Sequence, residues 1–190
     1  MTPISLGIFA SANTTVGTSF ESIATVTVGS GGAADVEFTS IPGTYSHLQI
    51  RALLRTNRSN AGDAVYVRMN SDTGSNYSSH RIEGNGSAAS AQMDYSATSI
   101  ALNRVAAAND GANTFGATSI DILDYANTNK YKTLRALVGY DNNGSGMISL
   151  CSGLWQSTSA ITSLKIIPLN ATGFVQYSSF ALYGIKGGNS

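Results

Sequence analysis

Residues able to carry acid–base or metal chemistry are few in this chain. His47 and His80 are the two histidines, and Cys151 is the single cysteine. Neither histidine has a Cys or His neighbour at ligand spacing, so no structural zinc site is expected. A hydrolytic triad needs a serine beside a histidine that an aspartate orients, and the Gly-x-Ser-x-Gly elbow that presents such a serine is missing. His80 is instead expected to hydrogen-bond a neighbouring loop. A glycosidase needs two carboxyl groups converging on one cleft, roughly 5 or 6.5–9.5 Å apart. Asp121 and Asp124 stand three apart, which puts them on opposite faces of a strand. Asp35 and Glu37 share a face, but the alternation around them marks it as solvated. Cys151 lies in the apolar run from Met147 to Trp155 and reads as a buried, inert thiol. Catalytic, cofactor-binding and metal-binding residues are therefore all predicted to be none.

Two glycine-rich stretches imitate binding motifs. Gly84-Asn85-Gly86-Ser87-Ala88-Ala89 fits the letters of the dinucleotide fingerprint, yet no amphipathic helix follows to meet a pyrophosphate, so a loop is expected. Asn70-Ser71-Asp72-Thr73-Gly74 resembles half of a calcium loop without its opening Asp or terminal Glu. A turn is the primary reading there, and a loose surface calcium site the alternative. Nine tyrosines remain. The segment Asp124–Tyr131 concentrates polar and aromatic groups, and Tyr125, Asn127, Asn129 and Tyr131 are predicted to form an exposed contact loop. Tyr and Asn there suit sugar stacking or a protein interface. Arg51, Arg55 and Arg58 read as solvated cations, with an inter-subunit patch as the alternative.

The elements that position these residues follow from pattern and composition. Of 190 residues only 12% are charged, against about 25% in an average soluble protein. Eleven basic residues balance eleven acidic ones, leaving a formal net charge of +0. Nucleic-acid affinity rests on a basic excess that this chain lacks, and so does binding to an anionic membrane. No apolar run approaches the roughly 18 residues of a membrane span, so no membrane insertion is expected. Period-two alternation dominates: Ala34, Val36 and Phe38; Leu48, Ile50, Ala52 and Leu54; Val65, Val67 and Met69; Leu134, Ala136, Val138 and Tyr140; Leu164 and Ile166; Phe180 and Leu182. Turn chemistry separates these runs, and Asn143-Gly144 between alternating segments is the strongest hairpin signal. Residues 87–112 read as one long connection around a short strand near Ile100, with room for a helical turn near Val105–Ala108. The fold class predicted is all-β: a single-domain antiparallel β-sandwich over residues 21–190, wound as a jelly roll, with an extended N-terminal arm over 1–20. Ala10-Ser11-Ala12 imitates a cleavage site, but no Lys or Arg precedes it and the apolar stretch Ile4–Ala10 is short for a leader. An arm tied down by a neighbour is the better reading, with Ile4, Leu6, Ile8 and Phe9 as assembly contacts.

Several strings together resemble small virion structural proteins of tailed bacteriophages. They are Phe38-Thr39-Ser40-Ile41-Pro42-Gly43-Thr44-Tyr45-Ser46-His47-Leu48-Gln49-Ile50-Arg51, then Arg68-Met69-Asn70-Ser71-Asp72-Thr73-Gly74-Ser75-Asn76-Tyr77. Ile122-Leu123-Asp124-Tyr125 leading to Asn129-Lys130-Tyr131-Lys132-Thr133, and the closing Tyr177–Gly187 segment, add to the likeness. It covers most of the chain from about Phe20 onward, and the opening Ile4–Ser11 is similar too. The resemblance implies a non-enzymatic β-sandwich component of the virion, assembled in the host cytoplasm, and brings no catalytic residues. Expected partners are further copies of the chain, as a homotrimer, together with the major capsid protein or tail proteins. Capsid decoration or cement is favoured over a tail component. A tail fibre or spike that binds host surface glycans is the first alternative, and a glycoside hydrolase the remote one.

Overall fold

The structure, a computed structural model, describes residues 19–187. Twelve strands follow one another: β1 (Phe20–Thr27), β2 (Val36–Phe38), β3 (His47–Leu54), β4 (Asp63–Met69), β5 (Tyr77–Gly84), β6 (Ala89–Ala97), β7 (Ile100–Val105), β8 (Gly116–Leu123), β9 (Lys132–Asp141), β10 (Gly146–Trp155), β11 (Leu164–Pro168) and β12 (Ser179–Ile185). Each alternating run identified in the sequence falls in one of them, except that Ala34 precedes β2 and is exposed. The predicted hairpin is present as well: Asn143 and Gly144 take φ of 49° and 106° between β9 and β10, the left-handed pair that a two-residue turn requires. Asn142 N–H closes the turn on Ser145 C=O at 2.7 Å.

The strands form two antiparallel sheets. One has eight strands in the order β1-β12-β3-β8-β9-β10-β5-β6, the other four in the order β2-β11-β4-β7. β1 pairs with β12, β2 with β11, β3 with β8 and β4 with β7. With the hairpins β5–β6 and β9–β10 set aside, the chain is thus one long antiparallel ribbon that contributes alternately to the two sheets. Both hairpins extend the larger sheet beyond β8. The single-domain antiparallel sandwich predicted from the alternation is the observed architecture.

The core lies between the sheets. Leu48, Ile50 and Leu54 of β3, Ile120 and Ile122 of β8, Leu134 and Val138 of β9, and Phe180 and Leu182 of β12 point inward from the larger sheet. Val65, Val67 and Met69 of β4, Ile100 and Leu102 of β7, and Leu164 and Ile166 of β11 meet them from the smaller one. At Gly153 of β10 a Cβ would stand 2.7 Å from the Ile100 side chain, so the missing side chain is what admits Ile100 to the core.

The stretch 87–112 differs from expectation. It holds two strands, β6 and β7, and no helical turn. Val105, Ala106 and Ala107 are buried, and Ala106 bridges Arg55. β6 escapes a pattern search because its alternation runs between small or polar residues, Ala-Ser-Ala-Gln, with weak contrast. Ile4, Leu6, Ile8 and Phe9 lie outside the described residues. Among the described residues, no helix is long and apolar enough to cross a membrane.

Candidate assembly face

At the β5–β6 end of the larger sheet the polarity of the strands is inverted. Toward the interior, β5 turns Ser79, Arg81 and Glu83, and β6 sets Asp94, Gln92 and Ser90 opposite them. Toward solvent, β5 turns His80 and Ile82, paired with Met93 and Ala91 of β6. The inward polar groups satisfy one another. Arg104 Nε donates to Glu83 Oε2 at 2.9 Å and Arg81 Nη1 to Asp94 Oδ2 at 2.6 Å, while Asn103 Nδ2 donates to Glu83 Oε1 at 3.2 Å. Arg104 is the extra residue of a bulge opposite Asp63 and Ala64, with φ of 76°, and the bulge re-aims its guanidinium at Glu83. Burial works to raise the Glu83 pKa, but the hydrogen bonds from Arg104 and Asn103 and the charges of Arg104 and Arg81 outweigh it and hold the carboxyl below its usual 4.5.

Seen from outside, the larger sheet carries apolar rows. Leu137, Leu150, Ile82 and Ala91 are direct cross-strand neighbours on β9, β10, β5 and β6. A parallel row runs from Leu53 through Ala117 and Gly139 to Ile148. On the other side of the Leu137–Ala91 row, Met93 pairs with His80, and Leu123 lies two residues beyond Asp121 on β8. These large apolar side chains are 44–60% exposed. Two surface grooves form over them. One, of about 730 Å³, runs along Ile82, Met93, Leu123 and Leu150, and the other, of about 1120 Å³, along Leu53, Leu137 and Ile148. Contiguous exposed apolar surface of this kind marks an interaction site on a folded domain.

A polar strip crosses the face. Gln49, Asp121, Arg135, Ser152 and His80 follow one another across β3, β8, β9, β10 and β5. Gln49 Nε2 donates to Asp121 Oδ1 at 2.7 Å, and Arg135 Nη2 to Asp121 Oδ2 at 3.2 Å. Toward β1 the apolar groups cover one another: Phe20 stacks on Tyr183 at 4.7 Å, under the Arg51 guanidinium at 5.4 Å. Each groove carries one carboxylate in its lining, Asp121 in the first and Asp141 in the second.

The predicted contact loop divides. Tyr125 is fully buried, which corrects the expectation that it is exposed. Its hydroxyl donates to Pro42 C=O and accepts from Tyr45 N–H, so the ring pins the 42–45 turn to the loop. Asn127 is half-buried, and its Oδ1 accepts Asn129 N–H at 2.8 Å. Asn129 and Tyr131 do reach solvent. The organising residue is one the sequence reading passed over: Lys132 is buried, and its ammonium donates to the carbonyls of Asn127, Lys130 and Thr158 at 2.5, 2.8 and 3.0 Å. Burial, and then the nearby Lys130 charge, lower its pKa. Asp124, bonded by the Lys130 ammonium, is held below the usual carboxylate range.

Other candidates serve the fold. Asp72 accepts from Trp155 Nε1 at 2.7 Å, Asn76 Nδ2 at 2.9 Å and Gly74 N–H at 2.8 Å, and the first two bonds keep its carboxyl low. Asn70, at φ of 52°, accepts from Thr162 and Ser163 N–H and donates to Ala160 C=O. The calcium-like segment is therefore a turn with its carboxylate engaged, and among the described residues no group of three or more His, Cys, Asp or Glu could hold a metal ion. The fingerprint-like segment is the β5–β6 hairpin turn, in which Asn85 Oδ1 accepts from Ser87 and Ala88 N–H. Arg55 donates to the carbonyls of Ala108, Asp110, Gly111 and Thr114, and Arg58 to Gly62 C=O, so these two cations close loops of their own chain. His47 Nδ1 accepts Asp124 N–H at 3.0 Å, and His80 is exposed mid-strand on the apolar face, away from the loop contact expected of it. Lys165 bridges Asp35 and Glu37, and burial pushes the Cys151 thiol up to about 11.

The signal for the outer face was present in the sequence. Leu53 and Leu137 are in phase with Arg51 and Arg135, the side of each strand that alternation assigns to solvent. Comparison of the chain with protein families, curated proteins and solved structures gives no match.

Proposed function

We propose that this chain is a non-enzymatic structural protein of a tailed-bacteriophage virion that docks on the particle as a homo-oligomer, a trimer, with capsid decoration or cement favoured over a tail role. The observation that carries the reading is the outer face of the eight-stranded sheet, where large apolar side chains stand exposed in rows. A neighbouring copy that covers this face removes that surface from water, at about 25 cal/mol per Å². The winding supports the same reading. Pairing of β1 with β12 and of β2 with β11 is what jelly-roll winding, an architecture of viral capsid domains, would require. Low charge supports it too, since contacts made largely without ions change little with salt. Many copies on one particle multiply weak contacts through effective concentration.

The glycan-binding alternative would use exposed tyrosines. Tyr95, Tyr131 and Tyr177 are the most exposed, but they stand on three different segments and line neither groove. Counting copies per purified particle against the major capsid protein tests the proposal. A simple fraction of the capsid subunit number is expected of a decoration protein. A handful of copies moves the protein to the tail, and its absence from the particle overturns the virion reading.

A further inference from the structure

Among the described residues the two sheets end on β1 and β6 and on β2 and β7. An edge strand exposes unpaired main-chain groups, and folded proteins blunt it with charge, Pro, a bulge or short length. β1 is bulged between Ser22 and Ala24 and carries Glu21, β2 is three residues long, and β7 is bulged at Arg104. β6 differs from all of these. It pairs regularly with β5 from Ala89 to Asp94, contains neither Lys nor Pro, and becomes irregular only beyond Asp94. Its one charge, Asp94, is bonded to Arg81 on the inner side of the sheet.

The ladder fixes which main-chain groups point away from the sheet at that edge. Asn85 N–H bonds Ala88 C=O in the β5–β6 turn, and Gln156 N–H bonds Asn76 C=O at the far end of the β5–β10 ladder. Antiparallel bonding alternates from such pairs. β5 therefore bonds β10 through its even-numbered residues and β6 through its odd-numbered ones, opposite Ser90, Gln92 and Asp94. Ala89, Ala91 and Met93 turn both N–H and C=O to the free side, and all three are exposed. A row of residues that each offer a donor and an acceptor is complementary to itself under a two-fold rotation, the commonest symmetry of oligomers. With the axis at Ala91, Ala91 meets its own image and each Met93 lies across from an Ala89, large against small. Each of these pairs exchanges both its main-chain bonds. The two Asp94 carboxylates then stand about 20 Å apart along the ladder, too far to repel.

We propose that the β6 edges of two copies pair antiparallel across a two-fold axis at Ala91, joining their larger sheets into one. A second copy is the occupant because the apolar row that ends at Ala91 then continues without interruption into its own image. The contact involves about five residues a side, against roughly 20–30 in a standard interface. It forms between copies that the outer face has already gathered, where effective concentration strengthens it. The proposal thus deepens the homo-oligomer reading above and rests on it.

Full-length Ala89→Cys, Ala91→Cys and Met93→Cys chains test the register, since native Cys151 is buried. A disulfide needs Cα atoms within about 7 Å. Across the axis the two Ala91 are cross-strand neighbours at about 5.5 Å, whereas the two Met93 stand about 14 Å apart. On mild oxidation Ala91→Cys is expected to link to itself and Met93→Cys is not. Ala89→Cys and Met93→Cys chains, mixed and allowed to re-associate, link 89 to 93, as read by mass spectrometry of the joined peptides. Equal self-linking at 91 and 93 marks contact without this register and overturns the proposal. Absence of both the 91–91 and 89–93 links in a protein that light scattering shows to be oligomeric also overturns it, and leaves the outer-face reading standing. A protein that is monomeric throughout overturns both. Ala91→Pro, carried in both chains of the mixture, removes a donor on the free side only and spares the β5 ladder. The 89–93 link is then lost, and a folded Ala91→Pro pair in which it persists contradicts the edge contact.

Discussion

Strands β3 and β8 lie near the middle of the eight-stranded sheet, and strands β5 and β6 form one end of it. In the first pair the inward positions are Leu48, Ile50, Ile120 and Ile122, and the outward ones include Gln49, Asp121 and Arg51. In the second pair the inward positions are Arg81, Glu83, Gln92 and Asp94, and the outward ones Ile82, Ala91 and Met93. The backbone is the same pleated ladder in both. What differs is what lies beneath: β3 and β8 face the smaller sheet, whereas β5 and β6, beyond the buried Tyr77 that bonds Met69 of β4, reach past its last strand, β7, and meet its margin through Asn103 and Arg104. A strand with no apolar layer under it has nothing to gain from apolar residues on that side. Beyond Tyr77 its inner groups are ions and an amide bonded to one another, and its apolar residues are free to serve a surface outside the domain.

Substitutions that break this contrast differ in size. Glu83→Ala has the largest expected effect, because it leaves Arg81 and Arg104 without the buried carboxylate between them; about 3–5 kcal/mol of stability is lost in urea unfolding. Ile122→Ala follows at about 2–5 kcal/mol, since the residue is fully buried in the core. Its chain neighbour Leu123, turned outward, changes the stability of the isolated domain by no more than about 0.5 kcal/mol as Leu123→Ala. That paired measurement sharpens the comparison on two adjacent residues of one strand. Lys132→Met leaves the carbonyls of Asn127, Lys130 and Thr158 without their donor and costs about 1–3 kcal/mol. Amide exchange in residues 124–131 then speeds up while β8 and β9 stay protected.

The smallest effect is on pH dependence. Glu83 has a folded-state pKa below its usual 4.5, so the folded state binds this proton more weakly than the unfolded chain does. Its contribution is complete above that value and is lost as pH falls through the folded-state pKa. Wild type should therefore lose stability on acidification below 4.5 more steeply than Glu83→Gln, as read by denaturant titrations at stepped pH.

The sequence alone conveyed the fold where apolar contrast was strong. Leu48–Leu54 and Leu134–Val138 alternate between large and polar residues, and both are strands with the expected face buried. β6 was illegible because Ala and Ser differ too little in hydropathy to mark a face, and because its larger residues, Met93 and Tyr95, point away from the core. The site was legible only as an anomaly: Leu53 and Leu137 occupy solvent-phase positions, but no local pattern says that strands so far apart in sequence bring them onto one surface. Tyr125 was misplaced for a related reason. A polar loop in sequence does not reveal that one of its rings turns inward, here to bond Pro42 and carry the Tyr45 contact.

The most direct measurement is sedimentation velocity of the wild-type chain and of Leu150→Lys over a concentration series, with thermal unfolding of both. Leu150 lies between Leu137 and Ile82 in the central apolar row and is exposed. If the outer face is the assembly surface, the wild type sediments as an oligomer, and Leu150→Lys sediments as a monomer with an unchanged melting temperature. A Leu150→Lys chain that associates like the wild type, or a wild type that stays monomeric at every concentration, contradicts it.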